Sequence, residues 1–159
     1  MKRLSLLVVS AAAALAAAGV ASADRGSRPA EPAGAYMVSV VKQKLADEYA
    51  LAWQTLYPPH QRVAPREAYA SCESLTPGAG TLLSVRALRT FNERIVVAGK
   101  RGRILTKAID VRVSVVSPYV LFPVVIEQTF HAIAVRGSWR WILSADQYAY
   151  YSDGECPYA

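Results

Sequence analysis

Two hydrophobic periods divide this chain. Over residues 35–56, apolar positions recur at three- and four-residue steps: Tyr36, Val40, Val41, Leu45, Tyr49, Ala52, Trp53 and Leu56. Lys42, Lys44, Asp47 and Glu48 fall largely on the other side. The spacing predicts one amphipathic helix of about five or six turns. Pro58-Pro59 is expected to end it, because the second proline has no N–H to donate and restricts the residue before it. Pro65 stands where a first-turn proline is tolerated and opens a short helix through Arg66, Glu67 and Tyr69 to Glu73, with Tyr69 and Cys72 on one face. Thr76-Pro77-Gly78-Ala79-Gly80 is a turn cluster, and beyond it the period changes from helical to alternating.

The alternating part predicts four antiparallel strands. The first covers residues 82–97, with Val85, Ala87, Phe91, Ile95 and Val97 on the apolar side and Ser84, Arg86, Thr90, Asn92 and Arg94 opposite. Gly99-Lys100-Arg101-Gly102 is a hairpin turn. The second covers residues 103–117, with Leu105, Ile109, Val111, Val113 and Val115 pointing one way and Thr106, Asp110, Arg112 and Ser114 the other. Pro118 and Pro123 bound a short link. The third places Val124, Ile126, Gln128, Phe130, Ala132 and Ala134 inward and Glu127, Thr129 and His131 outward. Arg136-Gly137-Ser138 turns into a fourth strand over residues 139–143, and Ser144-Ala145-Asp146 caps a short helical piece before a Tyr-rich tail. A sheet of long antiparallel strands must hide its apolar face, and the two N-terminal helices are there to cover it. The expected class is α+β: a curved antiparallel sheet wrapped by one long and one short helix.

The first residues set the compartment. Lys2 and Arg3 form a positive start, residues 4–20 are almost unbroken Leu, Val and Ala, and Ala21-Ser22-Ala23 puts small residues where a signal peptidase reads them. Residues 1–23 therefore read as a cleaved signal peptide rather than a membrane anchor, the run being short for a span. Residues 24–34, with their prolines, glycines and charges, read as a flexible lead-in to a single domain over 35–159. The formal net charge is +6, and losing Lys2 and Arg3 leaves +4. That surplus reads as a solvated surface, or as weak attraction to anionic envelope polymers. The basic residues are not grouped with stacking aromatics as nucleic-acid binding would need. Export also decides how the two cysteines are read. Neither has a His or Cys at metal spacing, and in an oxidising compartment Cys72 and Cys156 most simply form one disulfide. No cofactor or metal is implied.

The segments Trp53-Gln54-Thr55-Leu56-Tyr57-Pro58, Arg66-Glu67-Ala68-Tyr69-Ala70-Ser71-Cys72 and Trp139-Arg140-Trp141-Ile142-Leu143-Ser144 resemble the nuclear transport factor 2-like, or cystatin-like, superfamily of α+β cones. The likeness is to small secreted bacterial members of no assigned activity. It covers nearly all of the mature chain, through structural rather than catalytic motifs. The resemblance implies a conical pocket between sheet and helices, used by some relatives for ligands and by others for ketosteroid isomerisation or polyketide cyclisation. It also implies dimers through the outer sheet face, whose Thr, Arg and Asp mixture would permit one here.

Such enzymes need a carboxylate or His base facing a donor across an apolar cavity. On the expected inward faces, Arg89 and Glu93 lie four apart on strand one, Gln128 on strand three and Lys107 on strand two. One reading makes Glu93 a pocket carboxylate oriented by Arg89, with Tyr49, Trp53 and Gln128 as further pocket residues. The other makes Arg89 and Glu93 a rim ion pair, or lets a bulge turn both outward. An adjacent Arg would also make Glu93 a poorer base. His60 is expected solvated in a loop, and His131 on the outward face as a cross-strand partner. The sequence thus favours a non-catalytic module binding a small apolar ligand or an envelope protein. The alternative is a ketosteroid isomerase-like or cyclase-like enzyme with Glu93 as base.

Overall fold

A computed structural model describes residues 29–75, 80–116 and 122–157. The expected signal peptide with its cleavage residues Ala21 and Ala23, the turn residues Thr76 to Ala79, and Pro118 in the strand-two link all lie outside the described residues. Helix α1 is Ala33–Leu45, α2 Tyr49–Gln54, α3 Pro58–Val63 and α4 Arg66–Ser74. Strands β1 (Thr81–Val96), β2 (Arg103–Val116), β3 (Val124–Val135) and β4 (Ser138–Trp141) follow, then α5 (Ala145–Ser152). The strands form one antiparallel sheet in sequence order, so the α+β class is as expected.

The single long helix is broken in two. Asp47 takes φ 58°. The Glu48 N–H returns to the Gln43 carbonyl at 2.8 Å and the Asp47 N–H to Lys44 at 3.3 Å, which together close a Schellman motif. A left-handed Asp carries no glycine-like signal, so the period runs straight through the break. Pro58-Pro59 likewise opens α3 rather than closing a helix, since prolines fit the first turn where no N–H partner is needed. α4 begins after Pro65 as expected, burying Tyr69, Cys72 and Glu73 on one face. α5 is capped at both ends. Ser144 and Gln147 form a capping box, and Gly154 at φ 76° lets the Glu155 N–H reach the Tyr150 carbonyl at 2.9 Å.

Pairing between β1 and β2 slips at Leu83 and again at Leu88. Before the second slip, Val85 and Ala87 stand over Val113 and Val111 on the helix side. After it, Thr90 pairs with Ile109 on that side, while Arg89, Phe91, Glu93 and Ile95 pair with residues of the opposite face. The expected inward positions of Phe91 and Ile95 are corrected accordingly, and for Arg89 and Glu93 the pocket reading gives way to the other one, a bulge that turns both outward. One extra residue reverses every later side chain, and local alternation cannot register it. β2 and β3 pair without a slip, Phe130 against Ile109, Gln128 against Val111 and Ile126 against Val113, as the alternation implied. Arg136 (φ 48°) and Gly137 (φ 77°) make the two-residue turn into β4.

The covered face changes along the sheet. Ile109, Val111, Val113 and Val115 are buried with Tyr36, Met37, Val40 and Val41 of α1 and with Tyr69. At the hairpin end the other face is covered instead: Tyr57, Val97, Ile133 and Ile142 form a second cluster, with Ile95 and Ile104 against it. Leu105, expected inward, is consequently 56 % exposed, and Thr106, expected outward, is buried with its hydroxyl donating to the Glu93 carbonyl at 3.1 Å. Trp141 ties the layers together. Its indole N–H donates to the Ala52 carbonyl at 2.8 Å, and its backbone N–H donates to the Tyr36 hydroxyl at 3.0 Å. Cys72 and Cys156 are joined across 84 residues with Cα atoms 5.1 Å apart, pinning the chain after α5 to α4. A disulfide fits an oxidising environment. Among the described residues, no helix is long and apolar enough to cross a membrane.

Candidate functional site

Where α1 ends and β4 leaves the edge of β3, an open-sided cavity of about 710 Å³ remains. Its apolar wall includes Val40, Val41 and Leu45 of α1 with Val113, Ile126 and Phe130 of the sheet. Ile95 and His131 of the opposite face also line it, so the space runs past the edge of the sheet.

The polar groups at this cavity are largely engaged with one another. Lys44 and Glu73 pair at 2.8 Å, and Glu73 is only 3 % exposed. The Lys44 ammonium also lies 5.3 Å from the centre of a Trp141 ring, and the Tyr151 hydroxyl meets Glu73 at 3.4 Å. Glu73 was not singled out from the sequence. Its signal was there, because it stands four residues after Tyr69 and so shares the buried side of α4. Tyr49, an expected pocket residue, does line the cavity; its hydroxyl donates to Asp47 at 2.7 Å. Desolvation, and then the Asp47 carboxylate, push the Tyr49 phenol up to about 12. Gln128 lines the cavity too. Trp53 does not: it packs beside the main core and donates its indole N–H to the Ala64 carbonyl at 2.7 Å.

Arg89 and Glu93 are brought neither into the cavity nor together. Arg89 donates to Asp110 at 2.9 Å on the outer face, and the Thr129 hydroxyl donates to the other Asp110 oxygen at 2.8 Å. The Thr129 hydrogen bond, followed by Arg89, holds the Asp110 carboxyl below its usual range. Beside them Arg112 holds Glu127. Glu93 accepts from His131 Nε2 at 2.8 Å, reaching over β2 where Ala108 leaves room. His131 is thus the outward cross-strand partner the alternation implied, although its partner was not foreseen.

His60 corrects an expectation outright. It is fully buried in α3, not solvated. The Leu143 N–H donates to Nδ1 at 3.0 Å, so Nε2 carries the proton and donates to the Ala98 carbonyl at 3.1 Å. Burial pushes this imidazole below its ordinary value. Among the described residues, no group of three or more His, Cys, Asp or Glu is placed to hold a metal ion. No protein-family model and no curated protein matches the sequence.

Proposed function

We propose that the chain is an exported, non-catalytic binding module with a cone-like arrangement of the nuclear transport factor 2-like kind, and that its cavity takes a small apolar ligand. The observation that carries this reading is the wall itself. Val40, Val41, Val113, Ile126 and Phe130 offer apolar surface around about 710 Å³, within the few-hundred to thousand Å³ of small-molecule sites. The charged groups beside it are already paired, Lys44 with Glu73 foremost.

The isomerase-like or cyclase-like alternative needs Glu93 free inside the cavity and facing a donor. Its carboxylate is on the other face of the sheet, bonded to His131. The disulfide and the Lys2-Arg3 apolar leader support export. A homodimer through the outer face would set the Arg89–Asp110 and Arg112–Glu127 pairs at its interface.

Native mass spectrometry of protein secreted from a host expressing the full chain tests this. The expected species begins at Asp24, lacks the two hydrogens a disulfide removes, and carries a copurifying apolar molecule that denaturation releases. A ligand-free protein that also fails to take up added apolar probes would contradict the binding reading. Retention of residues 1–23 would contradict export by cleavage.

A further inference from the structure

Two stretches of strand edge differ in character: that of β1, and the part of β3 that β4 does not reach. On β1 the slips at Leu83 and Leu88, with exposed Arg86 and Arg89, are features that keep one strand edge from pairing with another. β3 has no such slip. β4 pairs with it only from Ala132 to Val135, and among the described residues the last backbone bond on that side is from the Ile142 N–H to the His131 carbonyl at 3.2 Å. Over residues 124–130, β3 has β2 on one side and, among the described residues, no strand on the other.

Which backbone groups face the opening follows from that last bond. The His131 carbonyl points toward β4, and backbone groups alternate sides along a strand, so the N–H and C=O of Val125, Glu127 and Thr129 point to the open side. Val125 is 56 % and Ile126 45 % exposed. On the helix side of the same stretch, Ile126, Gln128 and Phe130 form the β3 wall of the cavity.

We infer that the open edge of β3, residues 125–129, pairs with an extended segment of a partner polypeptide carrying apolar side chains at every second position. The backbone specifies the occupant. Donor and acceptor sets repeating at about 6.8 Å along a strand are matched by another strand, whereas a small apolar molecule leaves them to water. The alternation follows from the two sides of the edge. Side chains beside Ile126 and Phe130 lie over the apolar cavity, and those beside Glu127 and Thr129 lie over the charged outer ladder. The preference for apolar side chains rests on the cavity reading above; the backbone pairing does not.

The probe is a synthetic peptide alternating Val and Thr with a Lys at each end, titrated by fluorescence anisotropy. Two analogues are N-methylated, one at the Val set and one at the Thr set. Anilinonaphthalene sulfonate reports the cavity separately. Saturable binding is expected, with one analogue at least tenfold weaker and the other little changed, since only one set of N–H groups faces β3. The Glu127→Pro variant should weaken the parent peptide similarly and leave the dye bound, because the Glu127 N–H does not serve β2. If that variant does not fold, the two analogues on the unaltered protein decide the matter. Equal weakening by both analogues, or no peptide binding while the dye binds, overturns the edge pairing and leaves the cavity reading standing. Peptide binding without dye binding supports the edge pairing and overturns the cavity reading. A concentration-dependent dimer abolished by Glu127→Pro would make the occupant a second copy and overturn the partner segment.

Discussion

His60 spends both ring nitrogens on backbone: Nδ1 accepts from Leu143 and Nε2 donates to Ala98, joining α3 to the chain after β4 and to the end of β1. His60→Ala should therefore lower stability by about 2–4 kcal/mol in urea unfolding, since it orphans two buried backbone groups and opens a void. Its proton affinity also links it to pH. Burial holds the folded-state value below 6.5, so the unfolded chain binds the proton first as pH falls. The contribution of His60 is complete above pH 6.5 and declines as the medium is acidified toward the folded-state value. His60→Gln keeps an acceptor and a donor without titrating, so its stability should fall less than the wild type's between pH 7.5 and 5. Equal slopes would contradict this. Asp47 is the other residue whose role is set by backbone. Both Asp47→Gly and Asp47→Ala lose the Tyr49 hydroxyl's acceptor, but Asp47→Ala should be less stable than Asp47→Gly by about 1 kcal/mol in the left-handed position, read from urea midpoints. Neither residue was legible in the sequence. His60 follows two prolines, which read as a loop, and Asp47 sits among charges that suit a solvent-facing helix side.

Among elements, β1 shows how far alternation reaches. Val85 and Ala87 keep the side the pattern gave them, and Phe91, Glu93 and Ile95 lose it at Leu88. The slip is decided by pairing with Asp110 and Val111 of β2, more than twenty residues on, so local alternation could raise a bulge as one reading but not fix it. β2 and β3, which pair without slips, were legible almost throughout, as were the Pro65 start of α4 and the Ser144 cap of α5. The contact between α1 and α4 carries a sharper prediction. Lys44→Met strands the buried Glu73 carboxylate and should cost about 3–5 kcal/mol. The double variant Lys44→Met/Glu73→Leu should recover most of that, and a double-mutant cycle by urea unfolding measures the difference. Additive losses would mean that the pair is not coupled. The Cys72–Cys156 link acts on the unfolded chain instead. Its loop of 84 residues predicts a loss of about 4 kcal/mol on reduction, with α5 amides exchanging faster by hydrogen–deuterium exchange.

At the scale of the molecule, the sequence carried the α+β class and the disulfide but not the exchange of covered faces that exposes Leu105 and buries Thr106. That exchange depends on where α1 stops and where Tyr57 and Ile142 arrive, which are tertiary placements. The cavity is a product of the same arrangement. It opens where α1 and β4 both end beside β3, and of the expected pocket residues only Tyr49 and Gln128 reach it. Its most direct test is a fluorescence titration with anilinonaphthalene sulfonate of the wild type and of Ile126→Trp. Ile126 lines the cavity yet is 45 % exposed, so enlarging it fills the space without overpacking the core. Saturable binding by the wild type, at least tenfold weaker in a variant of unchanged urea midpoint, is the predicted result. Identical titrations for the two proteins, or no binding to either, would contradict it.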